Sequence, residues 1–204
     1  IGGGCSGAGV ALDGANRGLK CLLIDAHDFA SGSSSKSTKL IHGGVRYLEQ
    51  VFNLREKHRM EKLHLLHEAL QDRSYMVHNA QYMNKLLPII IPSTSTFETL
   101  YYYVGSMVYY LFYKAFDANN AVHFPLPYIL GKQEVKRAFP DLDAKVNGGV
   151  VYYDGQMNDS RMNLDLLLTA TIDNYRPGFK PANIANYCEF RRFLKDDKGK
   201  IVGG

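Results

Sequence analysis

The chain opens on three glycines, Gly2, Gly4 and Gly7, at the spacing G-x-G-x-x-G. Few patterns constrain folding more, because each glycine permits what a side chain forbids. In order, these are a tight turn, close approach of backbone to a pyrophosphate, and close packing of a helix on a strand. Val10, Leu12, Ala15 and Leu19 follow as apolar positions of a short helix, whose first turn offers unpaired N–H groups and the positive end of its dipole to phosphates. Leu19 to Ile24 then reads as a short buried strand ending at Asp25. A carboxylate about twenty residues past the glycines can accept hydrogen bonds from ribose hydroxyls. Turn, helix, strand and acid in that order point to a dinucleotide site, where the glycines alone would be a weak signal. Ile1 stands directly before the glycines, so most of the first strand of a βαβ unit is expected upstream, in a longer protein.

Composition narrows the partners. A net charge of +4 over 204 residues, 46% hydrophobic and 22% charged, suits a folded protein with a real core and is too small and scattered for a nucleic-acid surface. Cys5, Cys21 and Cys188 show no C-x-x-C spacing, which indicates neither a disulfide framework nor zinc. Cys5, at a helix start, could be held as a thiolate; the plainer reading is a small residue packed under the turn.

Residues 27–38 (HDFASGSSSKST) have the composition of a flexible linker. Their position argues for a loop wrapped around the cofactor, since they run straight into Lys39-Leu-Ile-His-Gly-Gly-Val-Arg-Tyr. Gly43 and Gly44 would let the chain pass close to a flat ring. Residues 53–78 have helical periodicity, with Leu54, His58, Glu61 and Leu65 on one stripe and Met60, Leu63, Leu66 and Leu70 on a more apolar one. His64 and His67 could share a face with Glu61 or Glu68, but no third ligand is at hand and no metal site is expected.

Leu86 to Pro92 suits an edge strand, because proline cannot donate to a ladder. Phe97 to Phe116 is a tyrosine-rich helix of nearly bilayer length. Glu98, Gly105 and Lys114 interrupt it, so it is expected to lie buried in or over its own domain, the alternative being a patch dipping into lipid headgroups. Gly131 to Phe139 reads as a short helix stopped by Pro140, Gly148 to Gly155 as a strand, and Asn158 to Asp173 as a helix with Asp159 and Arg161 structural at its start. Tyr187 to Leu194 and Lys200 to Gly203 are expected to form a hairpin across Asp-Asp-Lys-Gly.

Two strings carry a family resemblance. SSSKSTKLIHGGVRYLE after GGGCSGAG, and VYYDGQMNDSRMN from Val151 to Asn163, resemble the FAD-dependent glycerol-3-phosphate dehydrogenases of the mitochondrial type. The resemblance implies a flavoprotein that oxidises sn-glycerol 3-phosphate to dihydroxyacetone phosphate and passes electrons to ubiquinone at the mitochondrial inner membrane. By matching positions, Gly2, Gly4, Gly7 and Asp25 would hold the ADP half of FAD, and Ser34, Ser35, Lys39, His42, Gly43 and Gly44 its pyrophosphate and flavin side. Arg46 and Tyr47 would face the substrate. A planar, permanently charged fork at Arg46 suits a phosphate ester. His42 offers an imidazole suited to taking the C2 hydroxyl proton, with support of the flavin or of its own loop as the competing reading. The segment Tyr175 to Pro181 departs from the family pattern and looks inserted.

The expected fold is α/β: a Rossmann-like FAD-binding domain, glutathione-reductase or amino-acid-oxidase-like, with an inserted mixed α+β substrate domain. The expected boundaries are 1–78 for the cofactor part, 79–151 for the inserted region and 152–204 for the return. Two other functions stay open, an amine or amino-acid oxidase on the same scaffold and a non-catalytic dinucleotide-binding remnant.

Overall fold

The computed structural model describes residues 1–52, 57–116 and 122–203; within the second helix the side chains of 46, 49, 50 and 52 are outside that description. In chain order the elements are α1 (Cys5–Asn16), β1 (Leu22–Ile24), a 3-10 turn (Ser33–Ser35), β2 (Leu40–Ile41), α2 (Val45–Phe52), α3 (Arg59–Asn79), β3 (Lys85–Ser93) and α4 (Thr96–Phe116). They continue with β4 (Tyr128–Gly131), α5 (Lys132–Ala138), β5 (Gly148–Gln156), α6 (Asp159–Ala170), β6 (Asn183–Ala185), β7 (Leu194–Lys195) and β8 (Ile201–Gly203).

The chain forms two compact units, Ile1–Lys39 with Asn158–Gly204, and Leu40–Met157. In chain order the second interrupts the first, with crossings at 39/40 and 157/158 where the sequence put them at 78/79 and 151/152. The reason is hydrogen bonding and burial. Leu40 and Ile41 pair with Gln156 and Gly155 of β5, and α3 buries Leu66, Leu70 and Val77 in the same core as Tyr109 and Tyr152.

In the first unit β1 pairs in parallel with β6, Leu22 to Asn183 and Ile24 to Ala185. Small residues make α1 able to pack tightly: Ala8 and Ala11 join Leu23, Leu167, Ala170 and Ala182 in one cluster. The segment 175–181 is folded against the end of α1. Lys180 N donates to Ala15 O at 3.0 Å, and Phe179 is buried. The terminal hairpin is shorter than expected. Only Leu194–Lys195 pairs with Ile201–Gly203, and 187–193 carry no strand, with Tyr187 at φ 52°.

In the second unit β5 is central, with β3 along one edge and β2 and β4 on the other, all antiparallel. Pro88 and Pro92 lie in β3, which pairs with β5 alone among the described residues, consistent with proline's missing N–H. Of the helix read over 53–78, α3 covers the part from Arg59 onward, while α2 ends at Phe52, before that stretch begins; residues 53–56, Leu54 among them, lie outside the described residues. Its inward face is Leu66, Leu70, Arg73, Ser74 and Val77, while Met60 and Leu65 are exposed. Helix α4 spans the expected tyrosine-rich stretch and buries Ser106, Tyr109 and Tyr113. Among the described residues no helix is long and apolar enough to cross a membrane.

Candidate functional site

In the first unit the three glycines do separate work. Gly2 has φ 101°, a conformation that L side chains rarely adopt, and its N–H donates to Ile24 O at 2.8 Å. A Cβ on Gly7 would lie 1.9 Å from the carbonyl oxygen of Gly2 and 3.4 Å from Leu23 Cδ1, so this glycine lets α1 close on the strand. A Cβ on Gly4 would lie 3.0 Å from Ser34 Oγ. Gly4 is also the N-cap of α1 and provides no side-chain cap, which leaves the positive end of the helix to an outside acceptor.

Ser34 Oγ accepts from Cys5 N at 2.9 Å and so brings the Ser-rich loop onto the helix start. The same hydroxyl is the main reason that the Cys5 thiol is lowered from its ordinary pKa. Ser35 is turned away, its hydroxyl donating to Gly32 O at 3.0 Å. Asp25 accepts from Gly3 N at 2.5 Å and from His27 N at 2.8 Å, and these amides, Gly3 first, hold its carboxyl below the ordinary range. A carboxylate has about four acceptor positions, so ribose hydroxyls can be added to these two. Taken together, a helix start whose N-cap brings no side chain, a glycine where a side chain would crowd Ser34 and an ionised acid at the strand end fit a dinucleotide.

Lys39 is placed differently from expectation. Its ammonium lies 3.2 Å from Asp159 and 3.4 Å from Ser35 O, and its backbone is left-handed at φ 61°. Asp159 also accepts from Ser37 N at 3.0 Å and Ser37 Oγ at 2.7 Å. These bonds, that from the Ser37 hydroxyl foremost, depress its carboxyl well below the usual range. Asp159 thus fastens the end of the loop to the start of α6, the structural part read for it. Asn163, buried on α6, donates to Gly3 O at 2.8 Å and steadies the glycine turn from below.

The second unit holds the remaining candidates. His42 is exposed; Gly43 and Gly44 are buried. Both glycines are demanded by the protein itself. A Cβ on Gly43 would meet Tyr109 Oη at 2.4 Å and Leu70 Cδ2 at 2.5 Å; Gly44 has φ 77°, and its Cβ would meet the Tyr47 ring at 2.5 Å. Tyr47, in the first turn of α2, donates its N–H to Gly44 O at 2.8 Å, and Lys62 Nζ stands 5.7 Å from its ring centroid. Arg46 belongs to the first turn of α2; its side chain lies outside the described residues.

Beside this turn is a buried charge cluster that sequence reasoning missed. Arg73 Nη1 donates to Asp154 Oδ1 at 2.5 Å and to Tyr109 Oη at 3.2 Å, and Tyr109 Oη donates to the same Asp154 oxygen at 3.1 Å. The N–H of Gly43 approaches that oxygen at 3.5 Å. The guanidinium also stacks 4.0 Å from the Phe124 ring centroid. Burial above all raises the Tyr109 hydroxyl well above its ordinary pKa, so it stays a neutral donor. The signal was present: Leu66, Leu70, Arg73 and Val77 share one helical stripe, and a charge on a buried stripe requires a partner. Elsewhere on α3, His64 faces Glu68 at 3.5 Å and His67 packs edge-on to Phe116. Among the described residues no group of three or more metal-ligating side chains gathers.

A family model for FAD-dependent oxidoreductases matches residues 1–176, and the chain belongs to that family, whose cofactor is FAD. Its relatives are more specific. The chain is 42% identical over 198 residues to a probable mitochondrial glycerol-3-phosphate dehydrogenase of Dictyostelium discoideum, covering 97% of this chain and 28% of that protein. It is 40% identical over 205 residues to the mitochondrial glycerol-3-phosphate dehydrogenase of Saccharomyces cerevisiae, covering 100% of this chain and 29% of that one. The chain therefore spans less than a third of the length of these relatives. Among solved structures, the glycerol-3-phosphate dehydrogenase from Bacillus halodurans complexed with FAD superposes with a TM-score of 0.55 at 24% identity, over 97% of this chain and 27% of that one, a likeness of fold.

Proposed function

We propose that the protein containing this chain oxidises sn-glycerol 3-phosphate to dihydroxyacetone phosphate and delivers the electrons to ubiquinone at the mitochondrial inner membrane. The observation that carries this reading is the 40–42% identity, along essentially the whole chain, to mitochondrial glycerol-3-phosphate dehydrogenases. FAD, when bound, supplies the acceptor for the hydride leaving C2. Gly2, Gly4 and Gly7 admit its pyrophosphate to the start of α1, Asp25 takes the adenosine ribose, and Ser34 lines the same helix start. Ser35 and Lys39 act one step back, through the shape of the loop and the Asp159 tie.

On the substrate side, Arg46 grips the phosphate ester with two parallel hydrogen bonds, which spends binding energy on a group that does not react and so positions C2. Tyr47 faces the substrate from the same turn, and Gly43 and Gly44 present backbone to the flavin side. His42 is exposed; it takes the C2 hydroxyl proton or supports the loop. Support for a membrane surface comes from α4, where Phe97, Leu100, Tyr101, Val104 and Leu111 are exposed at helical spacing; such a face binds headgroup regions through buried apolar area.

The test is made on the full-length protein. Glycerol 3-phosphate should bleach the visible flavin absorption, a quinone analogue should restore it, and flotation with liposomes should carry the protein upward. Bleaching by amino acids with release of hydrogen peroxide, and none by glycerol 3-phosphate, would transfer the assignment to an amino-acid oxidase. A colourless protein that takes up no flavin would remove catalysis altogether.

A further inference from the structure

We infer that Arg73, Tyr109 and Asp154 form a buried anchor that sets the position of the Gly43–Gly44 turn, and with it the residues 42–47 that the turn carries. The inference rests on the reading of those residues as flavin- and substrate-facing. Three donors converge on one carboxylate oxygen: the Arg73 guanidinium, the Tyr109 hydroxyl and the Gly43 amide. Arg73 is 2% exposed and Asp154 1%, in a setting where a charge pair is retained only if each charge meets the other. A core built for stability alone would be served as well by apolar side chains of similar volume. The cluster is also packed directly under the turn. The hypothetical Cβ of Gly43 would overlap Tyr109 Oη and approach Arg73 Cζ to 3.3 Å, so the backbone rests on these two side chains with no spacing to spare.

The geometry divides the work. Arg73 orients the Asp154 carboxylate, Tyr109 donates to the same oxygen at 3.1 Å, and the Gly43 N–H approaches that oxygen at 3.5 Å. These are positioning residues, acting on the site through the backbone they hold. Tyr109 sits on α4, Arg73 on α3 and Asp154 on β5, so three elements distant in sequence fix the turn jointly.

The experiment uses the full-length protein purified with its flavin. Asp154→Asn should lower the melting temperature, shift the flavin absorption spectrum and raise KM for glycerol 3-phosphate by tenfold or more. The paired replacement Arg73→Met with Asp154→Leu should bring the melting temperature back toward wild type while spectrum and KM stay shifted. Return of all three together would show a purely structural pair and overturn the inference. Tyr109→Phe, a milder change, should leave the melting temperature within a few degrees and still shift the spectrum; a wild-type spectrum and KM in Tyr109→Phe would overturn the inference as well. The spectral readout needs no turnover. A yellow protein that ignores glycerol 3-phosphate would sink the substrate assignment and leave this test intact.

Discussion

The guanidinium of Arg73 meets the carboxylate of Asp154 at 2.5 Å, with each side chain 1% exposed. Removing one member of such a pair leaves an uncompensated charge in a medium that cannot solvate it. Arg73→Met alone should cost about 3–5 kcal/mol of stability, read as a lowered midpoint in urea denaturation of the full-length protein. A loss under about 1 kcal/mol would mean that water reaches the site.

Gly7 and Gly9 lie two residues apart on α1 and should respond oppositely to alanine. At Gly7 the new methyl meets an immovable carbonyl oxygen at 1.9 Å, and at Gly9 it meets nothing within 4 Å. Gly7→Ala should cost about 1–3 kcal/mol or more through overpacking and deplete bound flavin, measured as visible absorbance per protein. Gly9→Ala should leave flavin content unchanged and gain about 0.5–1 kcal/mol from helix propensity.

Asp159 makes a pH-dependent contribution whose sign follows from its depressed pKa. The folded value lies below the unfolded value of about 3.9. The stability it contributes is therefore present above about pH 4 and disappears as the pH falls through the folded pKa. Urea midpoints of wild type and Asp159→Asn should differ at neutral pH and converge in strong acid. Parallel curves down to the lowest pH would exclude the Ser37 and Lys39 bonds as the cause.

Arg46→Lys should separate substrate from cofactor. A bidentate fork exchanged for a point charge forfeits one charge-assisted hydrogen bond, about 1.5–3 kcal/mol. KM for glycerol 3-phosphate should rise about 10- to 100-fold with flavin content unchanged. Equal loss of both would remove Arg46 from phosphate binding.

The sequence by itself determined the glycine turn, the helix after it and the acid at the end of β1, because those depend on local conformation. Gly2 must take a positive φ, Gly7 must carry no Cβ, and Asp25 lies within reach of Gly3. It also determined an edge strand at the prolines of β3 and a helix over the tyrosines of α4. Tertiary structure decided everything that joins distant residues: Lys39 with Asp159, Asn163 under Gly3, and the meeting of Arg73, Tyr109 and Asp154. It also placed the passage between units at Lys39 and Leu40. Pairing of β2 with β5 fixes that point, and a strand's partner is chosen by long-range hydrogen bonding that leaves no periodic trace in either segment alone.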